Sequence, residues 1–166
     1  MASQHHLEFE PSSGGIGREP AQREVTQRRA VAQCRVVMDA TTTDRIVQNA
    51  TAKGDVLATA RVAGIGAAKR TAELLPMCQM VVVGSVVISF AIGDTSVLVT
   101  AEVHTVDRTG VEMEAMTAAM VAAITIYDMC KNVDRTMHIE HAQLVEKSGG
   151  RSGTWRRDLD LFDGDA

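Results

Sequence analysis

Four groups of residues in this chain have types and spacings suited to an anionic substrate. Lys53-Gly54-Asp55-Val56 places a lysine before a glycine at a helix entrance. There the ammonium and the open N–H groups of the first turn can hold an anion. The other reading is a solvated lysine beside an N-cap aspartate. Asp128 and Lys131 are three residues apart, on one helix face. They continue Thr117, Val121 and Ile124 in a mainly apolar stripe. An unpaired charge in such a stripe is costly, which favours a cleft over a plain surface ion pair. Glu112-Met113-Glu114, after Thr109-Gly110, sets two carboxylates in a first helical turn. They suit the helix dipole even without further chemistry. Lys147-Ser148-Gly149-Gly150-Arg151-Ser152-Gly153 combines glycines, hydroxyls and two cations, as a phosphate cradle requires. It is not a Walker loop, because no Gly-Lys-Ser/Thr opens a helix after a strand; a flexible basic tail has the same composition. Arg23, Arg28 and Arg29 add a basic group that either binds an anion or stays solvated.

The elements that must carry these residues read as follows. Val31 to Met38 is a strand pattern, and Thr41 to Asp44 can cap a short helix over residues 45–49. A longer helix is expected over residues 55–75, rich in small residues from Ala58 to Ala68 and followed by Pro76. Val86, Ile88 and Phe90 alternate with Val87 and Ser89, and after the Gly93-Asp94-Thr95 turn Val97, Val99, Ala101 and Val103 alternate with Leu98, Thr100 and Glu102. That is a β-hairpin whose second arm has a polar face. Residues 112–132 are helical by their Ala- and Met-rich composition, and residues 137–145 form a last strand. Strands interleaved with two major helices and joined by a hairpin imply an α+β sandwich with an antiparallel sheet. Residues 1–22 read as a polar, flexible lead, residues 23–155 as one domain, and residues 156–166 as an acidic, disordered tail.

Composition narrows the function. A chain of 166 residues is about one domain's length. Its 17 basic and 21 acidic residues leave a net charge of −4, poor for holding a nucleic-acid backbone by bulk charge. With aromatics at 3%, it lacks the stacking platforms of single-strand binders. No secretory signal is visible, and no apolar run is expected to reach the roughly 18–20 residues a membrane helix needs. Cys34, Cys78 and Cys130 are odd in number and widely spaced, which fits neither a disulfide framework nor a zinc site but a reducing cytoplasm.

Taken in order, these motifs resemble the cyclic pyranopterin monophosphate synthase family, the molybdenum cofactor biosynthesis protein C. The resemblance rests on Lys53-Gly54-Asp55-Val56 through Ala67-Ala68-Lys69-Arg70-Thr71, and on Arg108-Thr109-Gly110-Val111-Glu112-Met113-Glu114-Ala115. Ile126-Tyr127-Asp128-Met129-Cys130-Lys131 and the Lys147–Gly153 loop complete it, so that it spans residues 26–155. It implies a ferredoxin-like subunit, a hexamer built from dimers, and active sites at the dimer interface. It implies a cyclised dihydroguanosine triphosphate as substrate, release of pyrophosphate, and no redox cofactor or resident metal; a divalent ion can accompany the triphosphate. By the same resemblance Asp128, Lys131 and Lys53 are catalytic. Met77, Cys78, Gln79, Glu112, Met113, Glu114, Arg28 and Lys147 contact substrate, with Arg23 near the triphosphate. Lys131, its pKa lowered by other cations, would be the acid in ring opening, held by Asp128. Lys53 and Lys147 would offset phosphate charge.

Two segments depart from the family pattern. Its Leu-Cys-His-Pro-like segment reads Met77-Cys78-Gln79-Met80 here, with glutamine in place of an active-site histidine. An amide donates and accepts hydrogen bonds but exchanges no proton at physiological pH. If the histidine does acid–base work, its loss costs on the order of 10²–10⁴ in rate; if it orients substrate, Gln79 suffices. The Met-Val-Asp-Val segment reads Gly17-Arg18-Glu19-Pro20. Three functions therefore compete: a working synthase, a diverged paralogue using a related guanosine-derived triphosphate, and a non-catalytic binding or assembly protein. Retained Lys53, Asp128, Lys131 and Glu114 favour catalysis.

Overall fold

A computed structural model describes residues 23–158. The lead over residues 1–22, with Gly17-Arg18-Glu19-Pro20, and residues 159–166 of the tail lie outside the described residues, whereas Arg156 pairs with Glu146 and Arg157 donates to the Leu144 carbonyl. The chain runs β1 (Thr26–Val37), α1 (Ala40–Val47), α2 (Val56–Ala68), α3 (Thr71–Leu74), β2 (Ser85–Ile92), β3 (Ser96–Asp107), α4 (Glu112–Cys130), β4 (His138–Ser148) and β5 (Trp155–Arg156). The strands form one antiparallel sheet in the order β2-β3-β1-β4-β5. Without the short β5 this is the ferredoxin-like arrangement that the resemblance implies.

The sheet follows from strict alternation. Ala30, Ala32, Cys34 and Val36 on β1, and Val97, Val99, Ala101 and Val103 on β3, are all fully buried on one face. The intervening residues, among them Gln33, Arg35, Thr100 and Glu102, stand on the other face, where Val31 is buried as well. The buried face packs against α4 through Ala115, Ala118, Ala119, Ala122, Ala123 and Ile126. Small side chains let α4 lie close to both the sheet and α2. Gly64 of α2 marks the closest approach, because a Cβ there would lie 2.8 Å from the Ala118 carbonyl oxygen and run into Ile88. At 19 residues α4 is long and apolar enough, by length and composition, to cross a membrane, which corrects the expectation that no apolar run reaches that length. Its buried face belongs to the core.

Some boundaries differ from expectation. β1 begins at Thr26, five residues before Val31, because Thr26–Ala30 pair with β3 although Arg28 and Arg29 break the apolar pattern. α1 begins at Ala40, with Asp39 at the N-cap position but making no side-chain cap. Its Thr42 and Thr43 are buried rather than capping. The helix expected over residues 55–75 stops at Ala68 and resumes as α3. There the buried Thr71 hydroxyl lies 3.0 Å from the Ala68 carbonyl and 3.3 Å from that of Ala67. It thereby satisfies the end of α2. β4 reaches Ser148, with irregular pairing opposite Val31–Arg35.

Candidate active site

At the C-terminal end of α4, Asp128 gathers two lysines. Lys53 Nζ donates to Asp128 Oδ2 and to the Asp128 carbonyl oxygen, both at 2.8 Å. Lys131 Nζ donates to Oδ1 at 2.6 Å. The motif around Lys53 explains its reach. Gly54 turns at φ 91°, and Asp55 caps α2 by accepting the Ala58 N–H at 2.9 Å. Asp55 is therefore committed to the fold, while Lys53 is carried across to α4. The hydrogen bonds from Lys131 and Lys53 hold the Asp128 carboxyl down to about 2. In return Asp128 pushes the Lys131 ammonium up. This corrects the expectation of a lowered lysine pKa: in the single chain the nearest strong charge is an anion, not a cation. The stripe from Thr117 to Lys131 is also not a buried cleft wall. Ile124 is 54% exposed, so the stripe is the outward face of α4.

The N-terminal end of α4 faces a basic hollow. Lys147 Nζ donates to Glu112 Oε1 at 3.1 Å. Arg28 lies under the glycine loop, donating from Nη2 to the Arg108 carbonyl at 3.2 Å. The two glycines are needed there: Gly149 (φ 99°) and Gly150 (φ 70°) are left-handed, and a Cβ on them would strike the Gln27 carbonyl and the Arg28 guanidinium respectively. A cavity of about 150 Å³ is lined by Arg23, Arg28, Glu112, Lys147, Gly149 and Ser152. A second, of about 600 Å³, shares Arg23, Arg28 and Ser152 and adds Arg151. Arg29 is less available than its neighbours. It forks onto Glu102 at 2.9 and 2.8 Å and reaches Glu146, and that fork holds the Glu102 carboxyl down to about 2.

The Met77–Met80 segment is pinned to the same end of α4 by side chains. The Cys78 thiol lies 3.8 Å from Glu114 Oε1. The Thr109 hydroxyl donates to Gln79 Oε1 at 2.7 Å; just beyond the segment, Thr105 of β3 donates to the Val82 carbonyl at 2.6 Å. Glu114 is buried, and that burial pushes its carboxyl up. Burial, with Glu114 adding to it, likewise pushes up the Cys78 thiol, which makes it a poor nucleophile. Met77 is 94% exposed and Met113 44%, so neither contributes to this core. Thr109 and Thr105 were not among the expected site residues. The only signal for them is their place beside Gly110 and at the end of a strand.

The expected site residues thus fall into two clusters: Lys53, Asp128 and Lys131 in one, and Arg28, Cys78, Gln79, Glu112, Glu114 and Lys147 in the other. Glu114 and Asp128 are fourteen residues apart in α4, or about 21 Å along a helix rising 1.5 Å per residue.

The pattern matches known proteins over most of its length. The profile of the MoaC family matches residues 19–150. The chain belongs to the MoaC family. It is 54% identical over 142 residues to a cyclic pyranopterin monophosphate synthase of Thermomicrobium roseum, covering 84% of this chain and 86% of the relative. A protein of that name from Listeria monocytogenes is 54% identical over 132 residues, with 79% and 82% covered. Cyclic pyranopterin monophosphate synthase 3 of Mycobacterium bovis is 54% identical over 134 residues, with 80% and 76% covered. Every expected site residue of this MoaC chain, from Arg28 to Lys147, lies inside the matched interval.

Proposed function

We propose that this chain is a cyclic pyranopterin monophosphate synthase of molybdenum cofactor biosynthesis. It would convert a cyclised dihydroguanosine triphosphate to the cyclic monophosphate and release pyrophosphate. The observation that carries the reading is the Lys53–Asp128–Lys131 cluster in a chain of this family. Two ammonium groups on one carboxylate form a fixed donor pair that can meet charge developing on an oxyanion or a phosphoryl oxygen. Lys131 enters the reaction protonated, so it can deliver a proton to the opening ring. The basic hollow of Arg23, Arg28 and Lys147 suits the triphosphate, and Glu114 and Gln79 line the way to the base. Gln79 orients rather than exchanges protons, and the diverged-paralogue reading gains no specific support.

The site is completed by a second copy. The two clusters lie about 21 Å apart on one α4, too far to act together on one nucleotide, so a partner's Asp128 end would meet this chain's Lys147 end. The outward face of α4, with Met120 and Ile124 exposed, supports such an interface. The assembly is then a homo-oligomer, a hexamer built from dimers, working in the cytoplasm. A divalent ion on the triphosphate would enter with the substrate. The deciding experiment is turnover of freshly made cyclised dihydro-GTP, followed by pyrophosphate release and by pterin fluorescence after oxidation. Product that vanishes in Lys53→Ala or Lys131→Ala supports the reading; substrate that binds without turnover overturns it.

A further inference from the structure

We propose that Thr109 positions Gln79 as a hydrogen-bond donor that selects a base bearing a carbonyl oxygen over one bearing an amino group, an inference that rests on the nucleotide-derived substrate proposed above. The Thr109 hydroxyl donates to Gln79 Oε1 at 2.7 Å. A carboxamide offers one carbonyl oxygen and one NH₂ group. With the oxygen engaged by Thr109, the group that Gln79 presents to a ligand is the NH₂. The side chain is exposed, so these donors are open to an incoming molecule.

The surroundings say which part of the ligand arrives there. Lys147 lines the basic cavity with Arg23 and Arg28 and binds Glu112 at 3.1 Å. The Glu112 carboxylate folds over Gly110, the neighbour of Thr109. Beyond Gln79 come Cys78 and the buried Glu114. The contacts therefore form a row from the phosphate-binding cations to Gln79. A nucleotide with its phosphates among the cations extends its base along that row. A guanine-type base shows two acceptors, O6 and N7, on one edge, whereas an adenine-type base shows an amino donor in place of O6. The Gln79 NH₂ pairs with the first and meets donor with donor in the second, leaving both groups unpaired.

The test uses GTP and ATP, which carry the same triphosphate, titrated against the full chain and its variants. Wild type is expected to bind GTP about tenfold tighter than ATP, the size of one good hydrogen bond. Gln79→Glu presents only acceptors, and Thr109→Val removes the anchoring hydroxyl, so in both the preference should fall to about twofold or less. Thr109→Ser keeps the hydroxyl and should keep the preference. Thermal unfolding of each variant identifies any that is misfolded, and Thr109→Ala replaces the valine variant in that case. Equal binding of the two nucleotides by wild type, binding of neither, or a preference that survives Gln79→Glu or loss of the Thr109 hydroxyl overturns the proposal. Turnover of cyclised dihydro-GTP is scored separately: its absence in wild type sinks the synthase reading, whereas lost discrimination with turnover intact sinks only the role of Gln79.

Discussion

The Asp128 carboxylate is the pivot of the cationic cluster, and its removal has a defined consequence for Lys131. The hydrogen bond from Lys131 is the largest cause of both shifts, Asp128 down to about 2 and Lys131 up from 10.5. In Asp128→Asn the Lys131 pKa should return towards its ordinary value. The alkaline limb of the kcat profile should then move to lower pH, along with a loss on the order of 10²–10³ in kcat. A profile that keeps its alkaline limb would remove Lys131 as the proton donor. Two other carboxyls give stability opposite pH dependences. Glu102 is lowered in the fold, so its contribution is present above the ordinary value of 4.5 and is lost as pH falls towards 2. Glu114 is raised by burial, so its contribution is present below 4.5 and is lost as pH rises through the folded value. Glu114→Gln should therefore flatten the decline in urea midpoint above pH 4.5 while leaving the acid limb unchanged. Equal slopes in wild type and variant above that pH would show that Glu114 does not titrate as its burial requires. The residue types of the site were legible in the sequence because lysines, carboxylates and glycines at fixed spacing carry their chemistry openly. The Lys53–Asp128 bond was not, since its partners are 75 residues apart. Nor was the direction of the Lys131 shift, which depends on which neighbour the fold supplies.

At the scale of elements, α2 contains a matched pair of glycines that separates backbone propensity from packing. Gly64 sits where a Cβ would meet Ile88 and the Ala118 carbonyl, whereas Gly66 has nothing within 4 Å. Gly64→Ala should cost about 1–3 kcal/mol through overpacking against α4. Gly66→Ala, in open space on the same helix, should gain about 0.5–1 kcal/mol from helix propensity. Urea denaturation of both variants reads the difference. Similar values for the two would mean that α2 and α4 do not pack at Gly64. This pair also shows what the sequence could convey. A run of small residues from Ala58 to Ala68 announced a close helix contact, and the alternation in the hairpin identified β2 and β3, with strand ends that differ by up to four residues. The break at Ala68 was hidden because no glycine or proline marks it, only the Thr71 hydroxyl turning back on the last carbonyls. The first five residues of β1 were hidden because Arg28 and Arg29 interrupt the apolar alternation: Arg29 stands on the polar face against Glu102 and Glu146, whereas Arg28, on the helix side, reaches the Arg108 carbonyl.

At the scale of the molecule, the separation of the two clusters yields the most discriminating prediction. If one α4 holds Asp128 and Lys131 at one end and Glu112 and Glu114 at the other, about 21 Å away, a site that uses both must draw them from two chains. Lys131→Ala and Lys147→Ala should then each be inactive as pure proteins, because every site carries one defect. Reassembled together after mild dissociation, they form mixed pairs. In an isologous pair each chain lends its α4 end to the other's site, so a mixed pair has one site with both defects and one with neither. With equal amounts and random pairing, half the pairs are mixed, and roughly a quarter of all sites are intact. The activity should recover to that level and scale with the product of the two fractions as the ratio is varied. Light scattering alongside the assay establishes that pairs have formed. An assembled mixture with no recovery would place both lysines in the same site within one chain, and a chain that stays monomeric while active would exclude the shared site altogether.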